Sequence, residues 1–93
     1  MPAIAVQLAG VTSVFHDRFV IGTRRDCDLV LHDPDASPLH ALLIPEGDGW
    51  QVEDMGSLRG VRVNGRLCTA APLAKGDRLR LGGTTLVVVP ILP

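Results

Sequence analysis

The sequence predicts an all-β domain, a sandwich or a small barrel, and three observations carry that expectation. The regular-looking segments are short and crowded with Val, Leu and Ile, which favours strands over helices. No window sustains an apolar period of 3.6 for two turns. Ten Gly and seven Pro punctuate the 93 residues from end to end, and closely spaced short strands are the pattern of a sandwich or barrel.

Taken in order, residues 3–8 (AIAVQL) alternate and stop at Gly10. Residues 12–16 and 18–21 read as two short strands around Asp17. Residues 28–31 (DLVL) form another, closed by Asp33-Pro34. Residues 40–45 run apolar to Pro45, and Gly47-Asp48-Gly49 connects tightly into a strand over 50–53. Residues 61–63 lead into Asn64-Gly65, the strongest short hairpin signal in the chain. Residues 78–81 (RLRL) alternate, Gly82-Gly83 turns the chain, and residues 84–89 return.

The length fits one domain over 1–93, near the size at which a single core stands without staples. With 46% of residues hydrophobic but only Trp50, Phe15 and Phe19 aromatic, that core must be aliphatic around one Trp anchor. The net charge of −1 removes the strongest argument for a nucleic-acid partner. The halves differ, however. Residues 1–50 carry three Arg against seven acids, a balance of −4; residues 51–93 carry six bases against three acids, a balance of +3. Two readings follow: an ordinary solvated surface, or a basic face that meets an acidic partner.

Cys27 and Cys68 could pair, but nothing requires it, and Cys27 before an apolar strand reads as a small core residue. His16, His32, His40 and the two Cys lack the CxxC or HxxxH spacing of a structural metal site, so no metal is expected. No Walker loop or Rossmann fingerprint is present, and no cofactor is expected. The N-terminus lacks the basic and apolar regions of a signal peptide. The apolar tail over 86–92 is too short to span a bilayer and is broken by Pro90. A reduced, cytoplasmic monomer without membrane insertion is the expectation.

The order of certain residues is more specific. Ile21-Gly22 closes a strand and Asp26-Cys27-Asp28-Leu29-Val30-Leu31 follows; Ser37 stands three residues before His40. Then come Trp50-Gln51-Val52-Glu53-Asp54, Gly56-Ser57, Gly60, Val63-Asn64-Gly65, Leu73, Gly76-Asp77 and Leu81-Gly82. Over 19–89 this resembles the forkhead-associated (FHA) domain. The resemblance implies a sandwich of two twisted, mainly antiparallel sheets whose loops, at one end, recognise phosphothreonine in partner proteins. A phosphothreonine carries about −1.5 to −2 charge and three acceptor oxygens. Its reader needs a guanidinium, a hydroxyl donor and free backbone N–H groups on small residues.

By the resemblance, Ser37 meets the phosphate, and His40 braces the binding loops. Gly22 is kept, but the arginine that follows it in the family is Thr23, whose neutral hydroxyl supplies no guanidinium fork. Arg24 and Arg25 lie one and two places on, where a displacement of one residue can reverse the side-chain direction. Pro38 stands where the family has an arginine beside the serine, and it lacks a backbone donor. The family pattern Ser-x-Asn-Gly-Thr appears as Ser57-Leu58-Arg59-Gly60-Val61. Arg59 replaces an amide that both donates and accepts with a donor-only cation.

The resulting expectation is a non-catalytic protein–protein interaction module whose phosphothreonine recognition is weakened or lost. Its loop-site residues are Gly22, Thr23, Arg24, Ser37, Ser57, Arg59 and Gly60, braced by His40, and its partner is a protein with a phosphothreonine or acidic segment. The alternatives are a true phosphopeptide reader with a rearranged basic set, Arg24 and Arg59, or a docking domain of a larger assembly.

Overall fold

In a computed structural model, residues 2–91 are described; Leu92, the end of the apolar tail, lies outside them. Among the described residues eleven strands run in order: β1 (Ala3–Leu8), β2 (Val11–Phe15), β3 (Phe19–Gly22), β4 (Leu29–Val30), β5 (Ala41–Glu46), β6 (Gly49–Asp54), β7 (Val61–Val63), β8 (Arg66–Cys68), β9 (Ala70–Leu73), β10 (Asp77–Leu81) and β11 (Thr84–Ile91). They form a six-stranded sheet, β2-β1-β11-β10-β7-β8, and a five-stranded sheet, β4-β3-β5-β6-β9. The pairs are antiparallel except β3–β4, where Ile21 lies beside Leu29. Among the described residues there is no helix, hence none long and apolar enough to cross a membrane.

Alternation along each strand turns one face of each sheet inward. The six-stranded sheet contributes Ile4, Val6, Val61, Leu79, Leu81, Leu86 and Val88; the other contributes Phe19, Ile21, Ala41, Leu43, Trp50 and Val52. Burying a large side chain from this set stabilises the fold by about 1.5–3 kcal/mol. Trp50 is the anchor expected of it, 2% exposed, with Phe19 tilted against it at a 5.8 Å centroid separation. Its indole N–H donates to the Ala3 carbonyl at 3.1 Å, joining the two sheets through the core.

The Asn64-Gly65 signal is a hairpin turn with φ of 51° and 85°, linking β7 to β8. Sequence reasoning left out β8 and β9, and placed the ends of several other strands one residue away. Cys27 is buried and Cys68 half-buried, and both are free thiols whose titration burial pushes up.

Candidate functional site

Three loops, over 23–28, 31–40 and 55–60, and the β10–β11 turn are hydrogen-bonded together at one end of the sandwich. The first is zipped to the second: Thr23 N–H donates to Ser37 O at 3.1 Å and Arg24 N–H to Pro38 O at 3.2 Å. Gly22 is required there, because a Cβ on it would lie 2.0 Å from the Pro38 carbonyl oxygen. The buried Cys27 thiol donates to that same oxygen at 3.3 Å.

His40 sits at the centre of the cluster and is fully buried. Its Nδ1 accepts the Ser37 N–H at 3.0 Å. The ring proton is therefore on Nε2, which donates to the Gly60 carbonyl at 2.7 Å. Its backbone donates to Ile21 O and accepts from Met55 N–H. The His40 ring thus joins the serine loop to the glycine of the 55–60 loop, and its backbone ties both to β3.

The hydroxyls act between and within the loops. Ser37 Oγ accepts the Leu58 N–H at 3.0 Å, which ties the serine loop to the 55–60 loop. Ser57 Oγ accepts the Gly60 N–H at 2.9 Å while Ser57 N–H donates to Asp54, which folds the 55–60 loop on itself. Asp33 fastens the β10–β11 turn by accepting from the Thr84 hydroxyl at 2.6 Å and the Gly83 N–H at 2.9 Å. These bonds, Thr84 foremost and the Asp35 N–H next, hold the Asp33 carboxyl below the usual carboxylate range.

The cations at this end are paired with aspartates. Arg24 presents its fork to Asp26, Nε to one oxygen at 2.9 Å and Nη2 to the other at 2.5 Å. The pair raises the titration of Arg24 and lowers that of Asp26. Arg59 crosses from its own loop to Asp35 at 3.3 Å, two residues before Ser37. Both pairs are more than half exposed, so solvent screens them and each contributes little to stability. Thr23 is half-buried beside Gly22.

The structure therefore brings Gly22, Thr23, Ser37, Ser57, Gly60 and His40 into one bonded cluster, and turns Arg24 and Arg59 to aspartates at its rim. Asp26 and Asp35 were missed as partners, although Arg24-x-Asp26 is a local spacing that could have been read. Asp33 and Thr84 are 51 residues apart, with no local signal. Beside the 55–60 loop lies a hollow of about 620 Å³ lined by Ser57, Leu58, Arg59, Gly60 and Leu67, among others. Leu58 and Leu67 are 89% and 57% exposed. Among the described residues no three His, Cys, Asp or Glu side chains gather as a metal set.

A two-sheet β-sandwich with loop ends fastened by a buried His between a Ser and a Gly defines a class of protein-interaction domain. The chain belongs to the FHA domain family. A family model described as the inner membrane component of T3SS, cytoplasmic domain, an FHA-like domain, matches residues 9–91. The FHA domain-containing protein FhaB of Mycolicibacterium smegmatis is 39% identical over 72 residues, 76% of this chain and 46% of that protein. The FHA-1 domain of Mycobacterium tuberculosis Rv1747 superposes with a TM-score of 0.87 at 26% identity, covering 96% of each chain. An FHA domain from a structural and functional study of phosphothreonine-dependent FHA domain interactions gives 0.88 at 27% identity, over 94% of this chain and 95% of that one. The chain spans about half the length of the curated relatives it matches.

Proposed function

We propose that this domain is a non-catalytic protein–protein interaction module of FHA type in which phosphothreonine recognition is weakened or lost. The observation that carries the reading is the state of its cations: Arg24 is closed on Asp26, Arg59 is paired with Asp35, and Thr23 follows Gly22. A phosphate entering beside Ser37 meets a hydroxyl donor but guanidiniums whose charge nearby carboxylates already offset. One charge-assisted hydrogen bond contributes about 1.5–3 kcal/mol, so losing the arginine after Gly22 weakens phosphothreonine binding by roughly ten- to a hundredfold. The scaffold of the reader is retained in Ser37, Ser57, Gly60 and the His40 brace, and the hollow beside Leu58 and Leu67 offers apolar surface to a peptide.

The family supports an interaction role, and the structural relative from the study of phosphothreonine-dependent interactions supports phosphothreonine as the ligand to test at the loop end. A second reading has its own support. Arg59 reaches across to Asp35 beside Ser37, and a phosphate that displaced Asp35 would make Arg59 a rebuilt ligand. Calorimetric titration with a phosphothreonine peptide and its unphosphorylated twin separates the two. The proposal expects near-equal, weak affinities; tight binding of the phosphopeptide alone supports the rebuilt site and rejects the proposal.

A further inference from the structure

Three of the six bases of residues 51–93 share one surface beside the loop end. On the outer face of the six-stranded sheet, Arg62 of β7 stands directly opposite Arg80 of β10. Arg78 shares that face, two residues along β10, with buried Leu79 between them turned to the core. Like charges directly opposite on a sheet are destabilising. Yet among the described residues the ion pairs are Arg24–Asp26 and Arg59–Asp35, so neither Arg62 nor Arg80 has a carboxylate within ion-pair reach. The neighbouring Asp77 lies at the same alternation as Leu79 and Leu81, and the Asn64 amide and Ala74 N–H occupy its carboxylate.

The guanidiniums are held rather than loose. Arg62 donates to Gly65 O at 3.2 Å and Arg80 Nε to Gly82 O at 3.1 Å. One bond each leaves most of the five N–H donors of a guanidinium pointing elsewhere. Two hollows flank the pair: one of about 190 Å³ toward Arg59 and Gly82, and one of about 580 Å³ toward Arg78, Asn64 and Thr85.

We propose that Arg62, Arg78 and Arg80 form a second binding face, which takes an extended acidic peptide segment of a partner protein. The spacing favours that ligand. Arg78 and Arg80 are separated by two residues of strand, about 6.5–7 Å, and Arg62 lies about 5 Å across from Arg80. An extended peptide repeats on the same two-residue period, so Asp or Glu at alternate positions meets successive guanidiniums, each able to form a bidentate carboxylate pair. A long nucleic acid fits less well: the net charge is −1, and Asp26, Asp33 and Asp35 stand in the loop end toward which the smaller hollow leads, where they repel a continuous polyanion. The face works whether or not the loop end reads phosphate.

The test is a nitrogen-15 amide titration with a capped peptide of alternating glutamate and serine, with the glutamine–serine peptide and an oligothymidylate as comparisons. The expected result is saturable shifts over 61–63, 78–81 and 84–86 with the glutamate peptide. High salt should abolish them. Arg62→Gln combined with Arg80→Gln should weaken binding roughly tenfold or more, the worth of one charge-assisted bond. Arg62→Lys, which keeps the charge and loses the fork, should fall between. Arg62→Gln alone should leave Tm unchanged or raised, because it relieves a like-charge pair. Shifts confined to 22–25, 37–40 and 57–60, equal binding of the glutamine peptide, tighter binding of the oligothymidylate, or no saturable shift at low millimolar peptide would each overturn the proposal.

Discussion

His40 Nε2 donates to the Gly60 carbonyl across 2.7 Å, while the opposite ring nitrogen accepts the Ser37 N–H. Two loops from different parts of the chain are thereby fixed to one buried ring, in one tautomer. Replacing His40 by Ala leaves a buried N–H and a carbonyl unsatisfied, each worth about 1–3 kcal/mol. Urea unfolding should show a loss of at least that order. The amide signals of Ser37 and Gly60 should move most among the residues away from position 40. An unchanged Tm would mean the brace contributes nothing.

Gly22→Ala should be more damaging than its small volume suggests. The new Cβ meets the Pro38 carbonyl oxygen at 2.0 Å, and that backbone is tied in turn by Arg24 N–H and the Cys27 thiol. Overpacking of a tight site costs about 1–3 kcal/mol or more. Separation of the 22–25 and 37–38 segments should appear as faster amide exchange at Thr23 and Arg24. Native-like protection at both residues in Gly22→Ala would contradict this geometry.

Much of the fold was legible, for local reasons. Asn64-Gly65 announces its turn, and the alternation of 78–81 announces β10. Strand β9 was hidden because Ala70-Ala71-Pro72-Leu73 has poor strand propensity. It is tolerated because β9 is an edge strand, paired with β6 alone, where a residue without an N–H does no harm. Strand β8 is only the three-residue return of a hairpin whose turn was read. In the site, the residues carried by the family pattern were legible: Ser37, His40 and Gly60 are bonded together, and Gly22 packs against the Pro38 carbonyl beside them. The pairing of Arg59 with Asp35 was not, because 24 residues separate them and only the folded loops bring them together.

Asp33 gives the loop end a dependence on acid. Its carboxyl is held below the usual range by the Thr84 hydroxyl, then by the Asp35 and Gly83 amides. A carboxyl with a depressed folded pKa stabilises the fold above its unfolded value, about 3.9, and that contribution is lost as pH falls through the lower folded pKa. Asp26 acts in the same window through Arg24, so the comparison needed is wild type against Asp33→Asn. The difference in unfolding midpoint should be steady from neutral pH to about pH 5 and shrink below about pH 4. A difference undiminished at the acid end would mean that the Asp33 charge is not what fastens the turn.

The central claim, a retained FHA scaffold with its phosphate cation missing, is tested most directly by measuring phosphothreonine-peptide affinity before and after Thr23→Arg, at low and high salt. The wild type should barely separate phosphorylated from unphosphorylated peptide. Thr23→Arg should raise affinity for the phosphopeptide alone by roughly ten- to a hundredfold. The gain should shrink with added salt, and Arg59→Asn on top of it should increase affinity further. The contrary result is tight phosphopeptide binding by the wild type that Arg59→Asn destroys, which would make Arg59 the phosphate ligand of a rebuilt site.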